Sequence, residues 1–360
     1  MKKLIIPLLF SFLASSSVLF SQSTPSGTLL VLAKQDHILD IVDPQNLKVL
    51  AQVPVGEDPH EVVASADGTT AYVSNYGFGR YDTISVVDLI RQRRMPSIDL
   101  GPLYGPHGLA FVGGKVWFTA EGAKAIGRYD PETKKVDWIM GTGQNRTHMI
   151  FVSEEMQQII TTNVNSGTVS IIDKMTNAPA PPVPNGPAPS IMRQGVPNGP
   201  PPRFGSAAPG GDWNETVVRV GNGSEGFDVS PDGKEIWVGN AHDGTISIID
   251  RASKSVSETL DANVHGVNRL KFTRDGKLVL VSMLAASDVT VMDAASHKEV
   301  KRIPVGHGAG GILMQPDGSR AYVACSPDGY VAVIDLKSLE VVGHIETGRG
   351  PDGLAWASRN

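Results

Sequence analysis

Cysteine is nearly missing from this chain of 360 residues: Cys325 stands alone. No intramolecular disulfide can form, a thiolate-only metal cluster lacks donors, and the Cys-x-x-Cys-His attachment of a c-type haem is excluded. A quinone- or haem-linked redox subunit therefore has no support in the chain. Aromatic residues are sparse at 6%, and a formal charge of −5 shows no basic excess. Neither nucleic acid nor an anionic lipid surface is an expected partner. Long apolar runs are missing after the first two dozen residues, so no later segment is expected to span a membrane. No Gly-x-Ser-x-Gly elbow, His-Glu-x-x-His pair or phosphate-cradling glycine loop occurs.

What is present begins with Met1-Lys2-Lys3, an apolar stretch from Leu4 to Leu13, and small residues through Ser23. That order predicts a secretory signal peptide over residues 1–23, with Ser21 and Ser23 at the small-residue positions of the cleavage site. The expected mature chain, 24–360, would be periplasmic or extracellular and monomeric, meeting a small ligand or an envelope protein. Losing Lys2 and Lys3 takes its formal charge from −5 to about −7.

A β-branched run ending in aspartate recurs at Asp43, Asp88, Asp130, Asp173, Asp250, Asp293 and Asp335. The separations are 45, 42, 43, 77, 43 and 42 residues, so the one long interval is a normal period plus about 35 inserted residues. Each unit holds four short apolar strands, and Asp67-Gly68, Asp232-Gly233, Asp275-Gly276 and Asp317-Gly318 mark hairpins between the first two. Four strands per period predicts an all-β, seven-bladed β-propeller of four-stranded antiparallel blades. The first unit lacks an innermost strand and the chain ends with a spare one, GRGPDGLAWA, so the C-terminal strand is expected to complete the N-terminal blade. The extra residues, 177–212, contain 11 prolines and 6 glycines and are expected to form a solvated loop on the face opposite the histidine-bearing loops.

The segments AYVSNYG (71–77), IWVGNAHDGTISIID (236–250) and AYVACSPDGYVAVID (321–335) resemble the YVTN-repeat family of exported propellers. The resemblance implies the fold and leaves the activity open, because propellers host lactonases, lyases, dehydrogenases and binding modules. PHEVVASADGTTAYVSNYG is similar to sugar-lactonase propellers, and GPHGLAFVGGKVWFTAEGAKAIGRYD to a blade of the streptogramin lyases. That lyase family implies catalytic His and Glu in late blades; here Asn268 and Gly310 hold the equivalent positions, with Met283 and Cys325 ending the second strands.

Aligning the units puts one residue per blade at the start of each innermost strand, at the mouth of the central channel. From blade 1 to blade 7 these are Asp352, His60, His107, His148, Glu225, Asn268 and Gly310. His60, His107, His148 and Glu225 are a chemically sufficient ligand arc for one divalent ion, whether zinc, magnesium or calcium. Loops on the same face add Asn75, Tyr76, Glu121, Asn163, Asn165, Asn240 and His242, with Asp352 beside them, as candidate ligand-binding residues. His265 and His307 lie in neighbouring loops. Two functions follow as expectations: a binding module working through the channel mouth, or a metal-dependent lactonase or lyase using the arc.

Overall fold

The computed structural model describes residues 27–175 and 212–359, so the expected leader and nearly all of the 177–212 insertion lie outside the described residues. Its strands form seven separate four-stranded antiparallel sheets, each meandering outward from the centre. From blade 1 to blade 7 the innermost strands are Pro351–Ser358, Pro59–Ala64, Pro106–Val112, Thr147–Val152, Ser224–Val229, Val267–Phe272 and Ala309–Met314. Closure is as the repeat predicted. Pro351–Ser358 pairs antiparallel with Gly27–Ala33, setting Ala355 opposite Leu30 and Trp356 opposite Leu29. This removes the open edge that a linear array of blades would leave.

The recurrent aspartate has a definite local task. Its carboxylate accepts backbone N–H bonds from the turn that leads into the outermost strand, from Gln45 to Asp43 (2.8 Å), Arg91 to Asp88 (2.8 Å), Glu132 to Asp130 (2.9 Å), Ser253 to Asp250 (2.7 Å), Ser296 to Asp293 (2.8 Å) and Ser338 to Asp335 (2.8 Å). Asp173 is the exception because the insertion replaces its turn; it pairs instead with Lys254 and Gln158. In the Asp-Gly hairpins the positive φ belongs to the glycine, 65° at Gly68 and 73° at Gly233.

The second and third strands of each blade are buried on both faces, so Leu29–Ala33 and Val279–Val281 read as continuous apolar runs. The core is a series of wedges between neighbouring blades. Trp117 fills the wedge of blades 3 and 4 against Ile126, Ile150, Ile159 and Ile172, and Trp237 that of blades 5 and 6 against Leu270, Phe272 and Val279. Each such buried side chain contributes about 1.5–3 kcal/mol. No helix among the described residues is long and apolar enough to cross a membrane.

Candidate functional site at the channel mouth

The seven innermost strands share one irregularity: each breaks register with its neighbour across its second residue, between Pro59 and Val62, Pro106 and Leu109, Thr147 and Ile150, and at the equivalent points elsewhere. The residues caught in the break are those of the predicted ring. A bulge re-aims a side chain, and here it does so seven times. Recurrent hydroxyls on the second strands hold it in place. Gly108 N–H donates to Thr119 Oγ1 (2.9 Å), whose own proton goes to the His148 carbonyl of the next blade (2.6 Å); Met149, Thr162 and the Glu225 carbonyl repeat the relay. Ring residues of adjacent blades are thereby tied backbone to backbone.

Two positions before the ring, five blades carry a glycine in the left-handed region: Gly105, Gly223, Gly266, Gly308 and Gly350, with φ between 61° and 73°. Blades 2 and 4 keep the same backbone with Asp58 (φ 50°) and Arg146 (φ 58°). L side chains rarely adopt that conformation, and holding them there costs about 1–3 kcal/mol each. Both are charged, and both reach the ring. Asp58 Oδ1 lies 3.1 Å from His60 Nε2, while Arg146 lies 3.5 Å from Glu121 and 3.5 Å from Glu225.

Around this frame the buried groups form two linked clusters. In the first, His60 stands between Asp58 and Lys34 Nζ (3.3 Å), with Asp352 at 3.8 Å. In the second, His148 is clamped between carboxylates: its Nδ1 pairs with Glu121, and its Nε2 lies 3.0 Å from Glu225 Oε1 without the alignment of a hydrogen bond. Tyr76 donates its hydroxyl proton to the other Glu121 oxygen at 2.5 Å. His107 joins the clusters, its ring centroid 3.9 Å from that of His148 and 4.9 Å from that of His60, and its buried Nδ1 has no hydrogen-bond partner. Across the channel, the guanidinium of Arg269 in blade 6 pairs with Glu61 in blade 2. Five carboxylates, Asp58, Glu61, Glu121, Glu225 and Asp352, therefore share three fixed cations, Lys34, Arg146 and Arg269, leaving two negative charges in excess.

Electrostatics divides the labour of the histidines. Burial, and then the nearby charges of His148, His60, Arg269 and Arg146, push the His107 imidazole well below its ordinary value, keeping it neutral. Burial acts the same way on His148, but Glu225 and Glu121 outweigh it and raise its pKa. Burial would lift the Glu225 carboxyl, yet His148, Arg146 and Arg269 hold it down to about 2. Asp58 is likewise held at about 2 against its burial, by His60, Lys34 and the Phe78 N–H.

The structure brings His107, His148 and Glu121 together, with one candidate donor atom of each within 4.8 Å of the others. Glu225 borders this group, whereas His60 is engaged by Asp58 and Lys34. Tyr76 and Asp352 are at the mouth as expected. Asn75, Asn163 and Asn240 are buried inside their own blades, their amides donating to Thr83 and Ser85, Thr168 and Ser170, and Thr245 and Ser247. These three brace the second strand on the third. Asn165 and His242 are exposed in loops. Sequence reasoning missed Lys34, Asp58, Glu61, Arg146 and Arg269. Lys34 directly follows a second strand, as Tyr76 and Glu121 do, so the same alignment could have found it.

The fold and this site define a class: a seven-bladed propeller with a charged, mostly buried cup at one end of its channel. Residues 210–320 match the model of the YNCE-like beta-propeller family. A stretch of 147 residues is 26% identical to an uncharacterized protein YncE of Salmonella typhimurium, covering 40% of this chain and 41% of that relative's length. Among solved structures, a functionally unknown protein from Desulfotomaculum acetoxidans superposes with a TM-score of 0.70 at 13% identity, over 93% of this chain and 100% of the other. A Kuenenia stuttgartiensis hydrazine synthase chain gives 0.66 at 18%, over 90% and 99%. The dihydro-heme d1 dehydrogenase NirN gives 0.59 at 13%, over 89% and 63%. The structural likenesses bear on the fold. Over the matched residues the chain is thus similar to YncE-like β-propellers, and the repeat extends the propeller fold to the rest of the described residues.

Proposed function

We propose that the chain is an exported binding protein that takes a small polar ligand into the cup at the channel mouth. The observation that carries this reading is the pair Asp58 and Arg146. Five blades relieve the same loop position with glycine, while these two accept a left-handed backbone to set a charge on the ring. Eleven other non-glycine residues among those described hold a similar backbone; these two are set apart because they stand where the other five blades have glycine and their charges pair with the mouth residues His60, Glu121 and Glu225. The Arg269 to Glu61 pair spans the channel below the ring and gives the cup a floor.

The test is a thermal-shift screen of the mature protein against small carboxylates, phosphates, amines, sugars and lactones, beside Arg146→Gly. At least one class should raise the melting temperature saturably in the wild type and not in the variant. If no class does so, or if every shift persists in Arg146→Gly, the reading fails. Export is tested by fractionation and N-terminal sequencing, with a mature start near Thr24 expected. An intact Met1 in the cytosol would refute it. A second reading, a metal-dependent lactonase or lyase, is favoured by the grouping of His107, Glu121 and His148, and requires an ion there.

A further inference from the structure

We propose that His107, His148 and Glu121 hold one divalent transition-metal ion, zinc by the chemistry of the donors, at the base of the cup. This rests on the reading of the mouth as the binding site and assigns that site its cofactor. Two imidazoles and a carboxylate suit zinc, and three protein donors leave one position open to a ligand or water. Their candidate donor atoms gather within 4.8 Å. His107 is 2% exposed and His148 1%; the His107 Nδ1 has no hydrogen-bond partner, while the His148 Nε2 is met by Glu225 Oε1 at 3.0 Å. A buried polar atom of this kind is costly unless something outside the chain's own groups meets it.

The surroundings fit an ion. The cup carries two negative charges in excess, which a dication brings to neutrality, so the loaded cup no longer repels an anion from the open position. Tyr76 and Arg146 fix the second Glu121 oxygen, as outer partners orient the ligands of metal sites. This donor set differs from the arc expected from the repeat. Glu121 comes from a second-strand loop, and His60 is taken up by Asp58 and Lys34.

The experiment is zinc titration of the untagged mature protein, stripped with a chelator, followed by calorimetry and elemental analysis after desalting. Cobalt(II) is substituted in parallel. About one zinc per chain is expected, with the visible absorption of a four-coordinate cobalt site. His107→Ala should lose both signals and His60→Ala should keep both. Less than a fifth of an equivalent in the wild type, an octahedral cobalt spectrum, or undiminished binding in His107→Ala would overturn the assignment. The cobalt readout needs no variant to fold. The screen described above, run both in chelator and with one equivalent of zinc, separates the two readings: an Arg146-dependent ligand shift without zinc binding sinks the metal alone, and zinc binding with no ligand shift in either condition sinks the small-ligand reading alone.

Discussion

Replacing Arg146 by alanine and by glycine isolates the backbone strain at the mouth. Both variants lose the contacts of the guanidinium with Glu121 and Glu225, each at 3.5 Å, but only alanine keeps a Cβ at φ 58°. In an ordinary strand or helix, glycine is the less stable of the two by roughly 0.5–1 kcal/mol. Here the left-handed conformation costs a non-glycine residue about 1–3 kcal/mol, so the order should invert, with Arg146→Gly more stable than Arg146→Ala by about 1 kcal/mol. Gly266 supplies the reciprocal measurement. It has φ 72° and only Ala285 atoms at 4.0 Å from where a Cβ would stand, so Gly266→Ala adds strain with little collision and should lose about 1 kcal/mol. Equilibrium urea unfolding reads both differences as shifts in midpoint at constant slope. If Arg146→Ala matches or exceeds Arg146→Gly, or if Gly266→Ala is neutral, the loop position is not strained and the argument for selected charge collapses.

Further outcomes are expected. Arg269→Met strands the Glu61 carboxylate and should cost about 3–5 kcal/mol, while Arg269→Met with Glu61→Leu recovers most of it; urea melts in which the double variant is no more stable than the single would contradict a paired channel strap. Glu225 has its folded pKa depressed from 4.5 to about 2, so its contribution, roughly 3 kcal/mol, is complete above about pH 4.5 and lost as the pH falls through about 2. Acid unfolding of Glu225→Gln should therefore be flatter over that window, and an unchanged profile would deny the depression. The Cys325 thiol, pushed up to about 12 by burial and by Asp328, should resist thiol reagents in the native state and react on unfolding. Native labelling would show that blade 7 opens locally.

Most of the architecture was legible because a propeller repeats its local rules. The aspartate that recurs every 42 to 45 residues closes the same turn in six blades, and where it does not, at Asp173, the interval itself announced the insertion. The ring was legible for the same reason, since the bulge falls at one register in every innermost strand. Contacts across the channel were not. Arg269 and Glu61 lie 208 residues apart, and nothing periodic pairs them. Asn75, Asn163 and Asn240 were misjudged because strand ends at the mouth look like binding positions, while an amide beside two strand hydroxyls turns inward to satisfy them.

Blade 1 takes its innermost strand from residues 351–358 and its other three from residues 27–54. On a ribosome, Gly27–Ala33 must therefore wait for residues 351–358 before any ring exists. Until then Gly27–Ala33, apolar and buried in the finished protein, offers an unpaired edge. A nonsense codon just before Pro351 would thus be no mild truncation. It would leave six blades translated and a sticky seam, a product for proteases and chaperones.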